Sequence, residues 1–551
     1  MKQLKKGALT APLTRLICLT VCAVLTIAAA AQAQTFTVTN TSDSGGSGDG
    51  SLRGEIAAAN ANPGADTIAF ASGLAGTITL SGEGLQIEDA LDIEGPGPSQ
   101  LTVSQSSPTH RVIHIELKSS GPVTIAGLHL ANGTTTGPGG DIQNDYEGEV
   151  ATLTVSNCLV TGGTASDYGG GIDGFGAPLV LRSSTVSDNK ATSGGGLWVG
   201  GQNIPFTIEN STIAGNSAPN GGGGITGEVE SSGHSEIVGS TISGNVAGFN
   251  GGGAILSMDS GTTVAVANST FAGNSTEGGG GGLAVSSSTE STTIEDSTIA
   301  GNHATGAGLR AGGIQAFGSG TQKLVDTVVA GNTSSGEAPD LAGPWATAFS
   351  LIGNPAAATL TETVPGSDLI GVDPQLGPLQ GNGGPTQTMA LAPSSPAVNK
   401  GGGGLTADQR GDTRPVLYPG VPISGAPGAN GADIGAYELQ APPVPEPAAP
   451  SRSGPRVRVS CPKGAKPGGC RFALQVVAGE PKRIKGKLRK PKPESAVARL
   501  KLKAGRSTLV TLKPKPKFAT KLAVTSKVLV RETETLRGST RTSYRRLKVV
   551  R

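Results

Sequence analysis

At 551 residues the chain is long enough for several domains, yet 3% of it is aromatic and 87 residues are glycine, which excludes an ordinary core of large side chains. Glycine lacks the every-third-residue spacing of collagen, and regular apolar spacing excludes a disordered linker. The net charge of +2 hides a division: residues 34–450 hold ten basic and 37 acidic side chains (−27), residues 451–551 hold 29 and four (+25).

In chain order, residues 1–33 read as a signal peptide. Lys2, Lys5, Lys6 and Arg15 precede the apolar run Leu16–Ala31, and Ala31-Gln32-Ala33 is an A-x-A cleavage signal. Export to the cell exterior and a mature start at Gln34 are the expectation, with no transmembrane segment after signal removal. Residues 34–70 form a leading segment in which Ser51 caps a short helix whose Leu52 and Ile56 share a face, suited to plug an open end of stacked strands.

Residues 71–437 carry the repeat. A Gly-Asn step recurs at Asn216, Asn245, Asn274, Asn302 and Asn332, with Ser-Asp-Asn at Asn189 as a variant, at spacings of 27, 29, 29, 28 and 30. A glycine tract ending in Ile or Leu keeps step with it, at Ile172, Leu197, Ile225, Ile255, Leu283 and Ile314, and a third alternating run precedes each Ser-Thr pair. Short strands in a period of about 28 residues, with no helix between them, predict a β-solenoid. The six asparagines are expected to stack at a corner as a hydrogen-bonded ladder, their backbone left-handed. If 71–437 all coil, about 13 turns make a rod of roughly 60 Å.

The repeats resemble those of right-handed parallel β-helix proteins, and over about residues 124–335 those of polymorphic outer-membrane, adhesin-like proteins. Gly50-Ser51-Leu52-Arg53-Gly54-Glu55-Ile56 resembles the CSLREA-type segment of exported β-helix proteins, without its cysteine and with its Glu-Ala altered. Residues 373–401, with DQRGD at 408–412 and DIGAYE at 433–438, resemble a choice-of-anchor Q domain spanning about 350–437, although Asn399-Lys400 departs from its usual acidic-small pair. The resemblances imply an exported surface protein with a C-terminal attachment. Arg410-Gly411-Asp412 inside DQRGD reads as structural rather than as an adhesion tripeptide.

Residues 438–455 are a Pro-rich linker, and 456–551 alternate strand-like runs into a small basic antiparallel β-sandwich. Cys461 and Cys470 bracket CPKGAKPGGC and are expected to pair as a disulfide in an oxidising compartment, whereas Cys158 reads as a buried small hydrophobe. The tail's charge points to anionic cell-wall polymers or glycans. Export and three aromatics in the tail disfavour nucleic acid.

For chemistry, the best acidic cluster is Asp141, Asp145, Glu147 and Glu149, able to bind Ca²⁺ or to serve as acid and base; a solvated loop is the plainer reading. His110, His114, His129, His234 and His303 share no spacing. No cofactor motif and no metal site stand out. Ten basic residues in 417 suit a polyuronate poorly. The expectation is a non-catalytic, surface-associated protein for adhesion, scaffolding or wall interaction, and the alternative is a polysaccharide lyase or glycoside hydrolase.

Overall fold

The computed structural model describes residues 32–441 apart from 119–120, 146–150, 231–232, 260, 288, 290–291 and 309. Beyond 441 it describes the backbone of a set of strands. Residues 1–31 of the expected signal peptide and Cys461 lie outside the described residues. Residues up to 441 and residues from 442 form two compact units.

The first unit is a right-handed parallel β-helix. One face stacks from Thr35–Val38 and Asp66–Phe70 to Gln322–Val325. A second stacks from Leu85–Ile87 through Ile113–Ile115, Ile142–Asn144, Ile172–Phe175, Leu197–Gln202 and Ile225–Glu230 to Ile314–Phe317. Leu341–Ala348 is long enough to pair with the last strands of both. The third face is a twelve-stranded sheet from Gly76–Leu80 to Leu369–Ile370. Ile172, Leu197, Ile225, Ala254, Leu283 and Ile314 are in register and fully buried, an apolar column that one coil alone could not cover.

The helix Leu52–Ala61 is capped by Ser51, whose Oγ accepts from Gly54 N at 3.0 Å, and it buries Leu52, Ile56 and Ala59 against the first strands. Glu55 turns back to accept from Gly50 N at 2.7 Å, and Arg53 pairs with Asp43 at 2.7 Å. The leading segment is thus itself part of the solenoid, since Thr35–Val38 pairs in parallel with Asp66–Phe70.

Two corners are turned by left-handed residues, and here the structure corrects the sequence reading. In the Gly-Asn step the glycine has the positive φ, as at Gly215, Gly244, Gly273, Gly301 and Gly331, with Asp188 in its variant. The asparagines of that step are buried and spend their side chains on hydrogen bonds instead. The left-handed tolerance of Asn and Asp is used one corner earlier, before the Ser-Thr pairs at Asn210, Asn268 and Asp296 and at the equivalent Asn157 and Asp326, with Ser183 and Gly239 in the same place on two other rungs. In the glycine tract, Gly222 has φ +58°, and a Cβ on Gly224 would stand 2.5 Å from Gly253 O and 3.0 Å from the Asn245 amide. Close approach of adjacent rungs therefore demands glycine.

The coil also ends earlier than residue 437. After Leu369–Ile370 the chain stops adding rungs; Leu376–Gln380 and Thr388–Leu391 pair antiparallel, and residues 376–438 run back over the third face as a strap. The reason is local: prolines at 374, 378, 385, 393 and 396 remove donors that a further parallel rung needs. Arg410 of the RGD tripeptide is buried in the strap, bound to Asp408 at 2.6 Å and seated 3.7 Å from the Tyr437 ring centroid.

In the second unit the strands are antiparallel: Arg456–Ser460 with Ser507–Thr511, and Cys470–Ala478 between Ala498–Leu502 and Lys527–Leu536, which pairs with Ser539–Lys548.

Candidate functional site

The asparagines come first. Asn216 donates N and Nδ2 to Asn245 Oδ1, both at 3.0 Å, Asn245 repeats this on Asn274, and the chain runs from Asn189 to Asn332. An aspartate eight residues ahead closes each end: Gly133 N donates to Asp141 Oδ1 at 2.8 Å, and Asn332 N and Nδ2 donate to Asp340 Oδ1 at 2.9 Å. Gly163 carries no side chain, so the amide ladder stops there and a carboxyl serves the next rung. A second ladder runs along Ser184, Ser211, Ser240, Ser269 and Ser297, each backbone N donating to the next hydroxyl at 3.1–3.2 Å. All of this is interior structure without access to a ligand.

The acidic cluster separates accordingly. Asp141 is fully buried, its Oδ2 has no partner among the described residues, and burial pushes its carboxyl well above the usual range. Asp145, four residues on, faces outward. Glu147 and Glu149 lie outside the described residues.

Asp145 belongs to a different group, which the register assembles. On the second face the residue after each inward Ile or Leu points out, and the pairs His114–Gln143, Gln143–Asp173 and Asp173–Trp198 place these four on successive rungs. Asp145 follows Asn144 and lies two positions along from that column, level with Phe175. Its Oδ2 is 3.4 Å from His114 Nε2. Arg111 closes the group: its Nε donates to Gly139 O at 3.3 Å and its Nη2 to Pro138 O and Thr135 Oγ1 at 3.1 and 3.3 Å, which leaves its charge beside Asp173 and Asp145.

Over this group stand three aromatic rings. Trp198 meets Tyr168 edge-on and Phe175 at a 5.1 Å centroid distance. Tyr168 is 40% exposed and forms the outer lip, whereas Trp198 is 9% exposed and its Nε1 has no hydrogen-bond partner among the described residues. Past the rings, Glu228 lies one rung from Gly200 in the column of Phe175. Burial and then Glu230 raise its carboxyl.

Electrostatics set Asp173 apart. It is 5% exposed, accepts from Phe175 N at 3.4 Å, and burial lifts it to about 7 despite the pull of Arg111. Burial and Arg111 together lower His114, so it is neutral at pH 7, with Asp145 opposing the shift. A carboxyl that exchanges its proton near neutrality in the field of a guanidinium and a second carboxyl is equipped for acid–base work, while the imidazole stands two rungs away beyond Gln143 and meets Asp145.

Three of the remaining histidines bond within the stacks. His129 bridges Thr102 and Thr161, His234 meets Thr263 and His303 meets Thr333. Cys158 is buried, and burial pushes its thiol to about 11. No three His, Cys, Asp or Glu converge as metal ligands among the described residues.

No family model and no curated protein matches the chain. Two solved structures are similar to it in fold. The A-module of the mannuronan C-5 epimerase AlgE4 of Azotobacter vinelandii is 15% identical, covers 57% of this chain and 91% of its own, and has a TM-score of 0.30. The A-module of AlgE6 from the same organism is 16% identical, covers 57% and 89%, and has a TM-score of 0.27.

Proposed function

We propose that the protein is an exported, carbohydrate-active β-helix protein that takes a polysaccharide across the second face at Asp173. The observation that carries this reading is the joint placement of Asp173, His114, Asp145 and Arg111 beneath Trp198, Phe175 and Tyr168. Aromatic faces suit sugar rings, an unpartnered indole N–H suits a hydroxyl, and Asp173 can give or take a proton near neutral pH. The charge favours a neutral or amine-bearing glycan over a polyuronate. Arg111 is committed to Pro138, Gly139 and Thr135, and Glu228 adds a further carboxyl. In this reading the basic tail holds the protein to anionic wall polymers.

The test uses the full chain from residue 34. Trp345 is fully buried and Trp198 lies at the site, so tryptophan fluorescence titrated with oligosaccharides of different charge reports the site in the native chain, and titration calorimetry follows binding where Trp198 is replaced. A neutral or amine-bearing oligosaccharide should bind and Trp198→Ala should weaken it tenfold to a hundredfold, about 1.4–2.8 kcal/mol. Asp173→Asn should keep the binding and abolish product formation. Failure of every glycan to bind, or binding indifferent to Trp198→Ala, sinks the proposal. Binding without turnover in the native chain returns the protein to the scaffold reading.

A further inference from the structure

The strap holds the second concentration of charge. Arg414 is 3% exposed, with Nη1 3.0 Å from Asp296 Oδ1 and Nε 3.4 Å from Glu438 Oε2; Nη2 donates to the carbonyls of Asp433 and Gly435. Asp326 Oδ1 accepts from Gly402 N at 2.8 Å, while its Oδ2 has no partner among the described residues. Asp433 accepts from Asn399 N at 2.7 Å and Leu439 N at 2.6 Å, and Glu438 from Val416 N at 2.6 Å and Asp433 N at 2.9 Å. One guanidinium therefore faces four buried carboxyls, Asp296 and Asp326 from the rod and Asp433 and Glu438 from the strap. Glu295 adds its field from the rod. Asp408 adds its own from the strap, where Arg410 pairs with it.

We propose that this cluster is a proton-dependent clasp: with protons shared among the four carboxyls the strap stays docked on the rod, and as they ionise it lets go. Four carboxylates against one cation would bury three uncompensated negative charges, which a protein interior does not tolerate. Burial, the largest cause in each case, lifts Asp296 to about 6, Asp326 and Asp433 to about 7, and raises Glu438. The docked state thus binds protons that the released state gives up between about pH 4 and 7. Stability of docking is full at the acid side and is lost as pH rises through 6 to 7.

Release has a defined consequence on the third face. Thr241 and Thr270 hydroxyls are held by Gln387 O and Gln409 Oε1 at 2.6 Å, and Thr298 Oγ1 accepts from Ala436 N at 3.0 Å. These three continue the row of Thr185 and Thr212, which the strap leaves half-buried. Opening the clasp extends this open row by three in-register hydroxyls.

Hydrogen exchange on the full chain, corrected for the intrinsic pH dependence of amide exchange, tests the clasp. Gly402, Gly435 and Ala436 amides bond across the strap–rod junction, and those of Asn245 and Asn274 lie inside the rod. The expected result is at least a tenfold fall in protection of the strap amides from pH 5.5 to 8.5, with the rod amides unchanged. Asp326→Asn, which keeps the oxygen that Gly402 uses, should reduce that fall. Equal protection of the strap amides at both pH values, or a fall shared by the rod amides, overturns the proposal, as does an undiminished fall in the variant.

Discussion

The coils around residues 113–198 and those around 225–332 are built on one phrase, yet one outer column sets their chemistry apart. After the inward Ile or Leu, the earlier coils place His114, Gln143, Asp173 and Trp198 on the outside, and the later coils place Thr226, Ile255 and Ala284 there. Inside, the two regions share an apolar column. The solenoid is therefore a scaffold whose interior is held to a narrow composition while its outer column is free to vary, and chemistry collects where the outer column departs from small, neutral residues.

The largest expected effect comes from breaking what the later coils depend on. Asn245 accepts two hydrogen bonds from Asn216 and donates to Asn274 and to Ile213 O at 2.9 Å. Asn245→Ala orphans buried groups on both neighbouring rungs, so denaturant unfolding should show a loss of about 3–5 kcal/mol. A loss below about 1 kcal/mol would mean that water replaces the ladder.

Next in size is a change confined to the earlier coils. Burial lifts Asp173 to about 7, so its stabilising protonated form is present at pH 5 and lost as pH rises through 7. Asp173→Asn should stabilise the fold more at pH 8 than at pH 5, by a difference on the order of 2 kcal/mol, read from urea midpoints. The analogous change at Thr226, the uncharged member of the same column, should have no pH dependence. A variant whose advantage is the same at both pH values would place Asp173 in a wetter setting than its burial implies.

The contrast between the two regions also explains what could be read from sequence. The period, the apolar column and the Ser51-capped helix follow from local spacing, and each is visible in one coil. The site is not, because members on neighbouring rungs are 25–31 residues apart and meet only through register. Aligning VIHI, DIQN, GIDG and GLWV on their inward residue would have set His114 over Gln143, Asp173 and Trp198. Reading the histidines for spacing along the chain missed this. DIQNDYEGE misled for the opposite reason: its acids are neighbours in sequence, but Asp141 turns inward to end a ladder while Asp145 faces out. The strap was illegible because its partners lie about 140 residues away, as Ala436 lies from Thr298, and no periodicity spans that distance. The serine ladder was hidden in the Ser-Thr pairs, where Ser240 looks like part of a repeat rather than a donor and acceptor between rungs.

That ladder makes the finest distinction, at the rung of the earlier coils where it begins. Cys158 occupies the position that Ser184 takes one rung on: its N donates to Ser184 Oγ at 3.0 Å, and its Sγ lies 3.3 Å from Ser156 O and 3.4 Å from Ile125 O, as Ser184 Oγ lies 2.7 Å from Arg182 O and 3.4 Å from Val155 O. The amide of Leu128 faces the sulfur from the rung before, and Leu128, with no hydroxyl, ends the ladder. Two effects oppose each other in Cys158→Ser. A hydroxyl accepts from Leu128 N and donates to Ser156 O more strongly than a thiol does, a gain of about 1 kcal/mol, and it costs about as much to desolvate. The expected change in unfolding free energy is therefore within about 1 kcal/mol of zero. Cys158→Ala should lose more, because it leaves the Leu128 amide unsatisfied among Ile125, Leu128 and Val155. If serine proves the worse of the two replacements, the thiol is there as a hydrophobe and the ladder begins at Ser184; if alanine does, the ladder begins at Cys158.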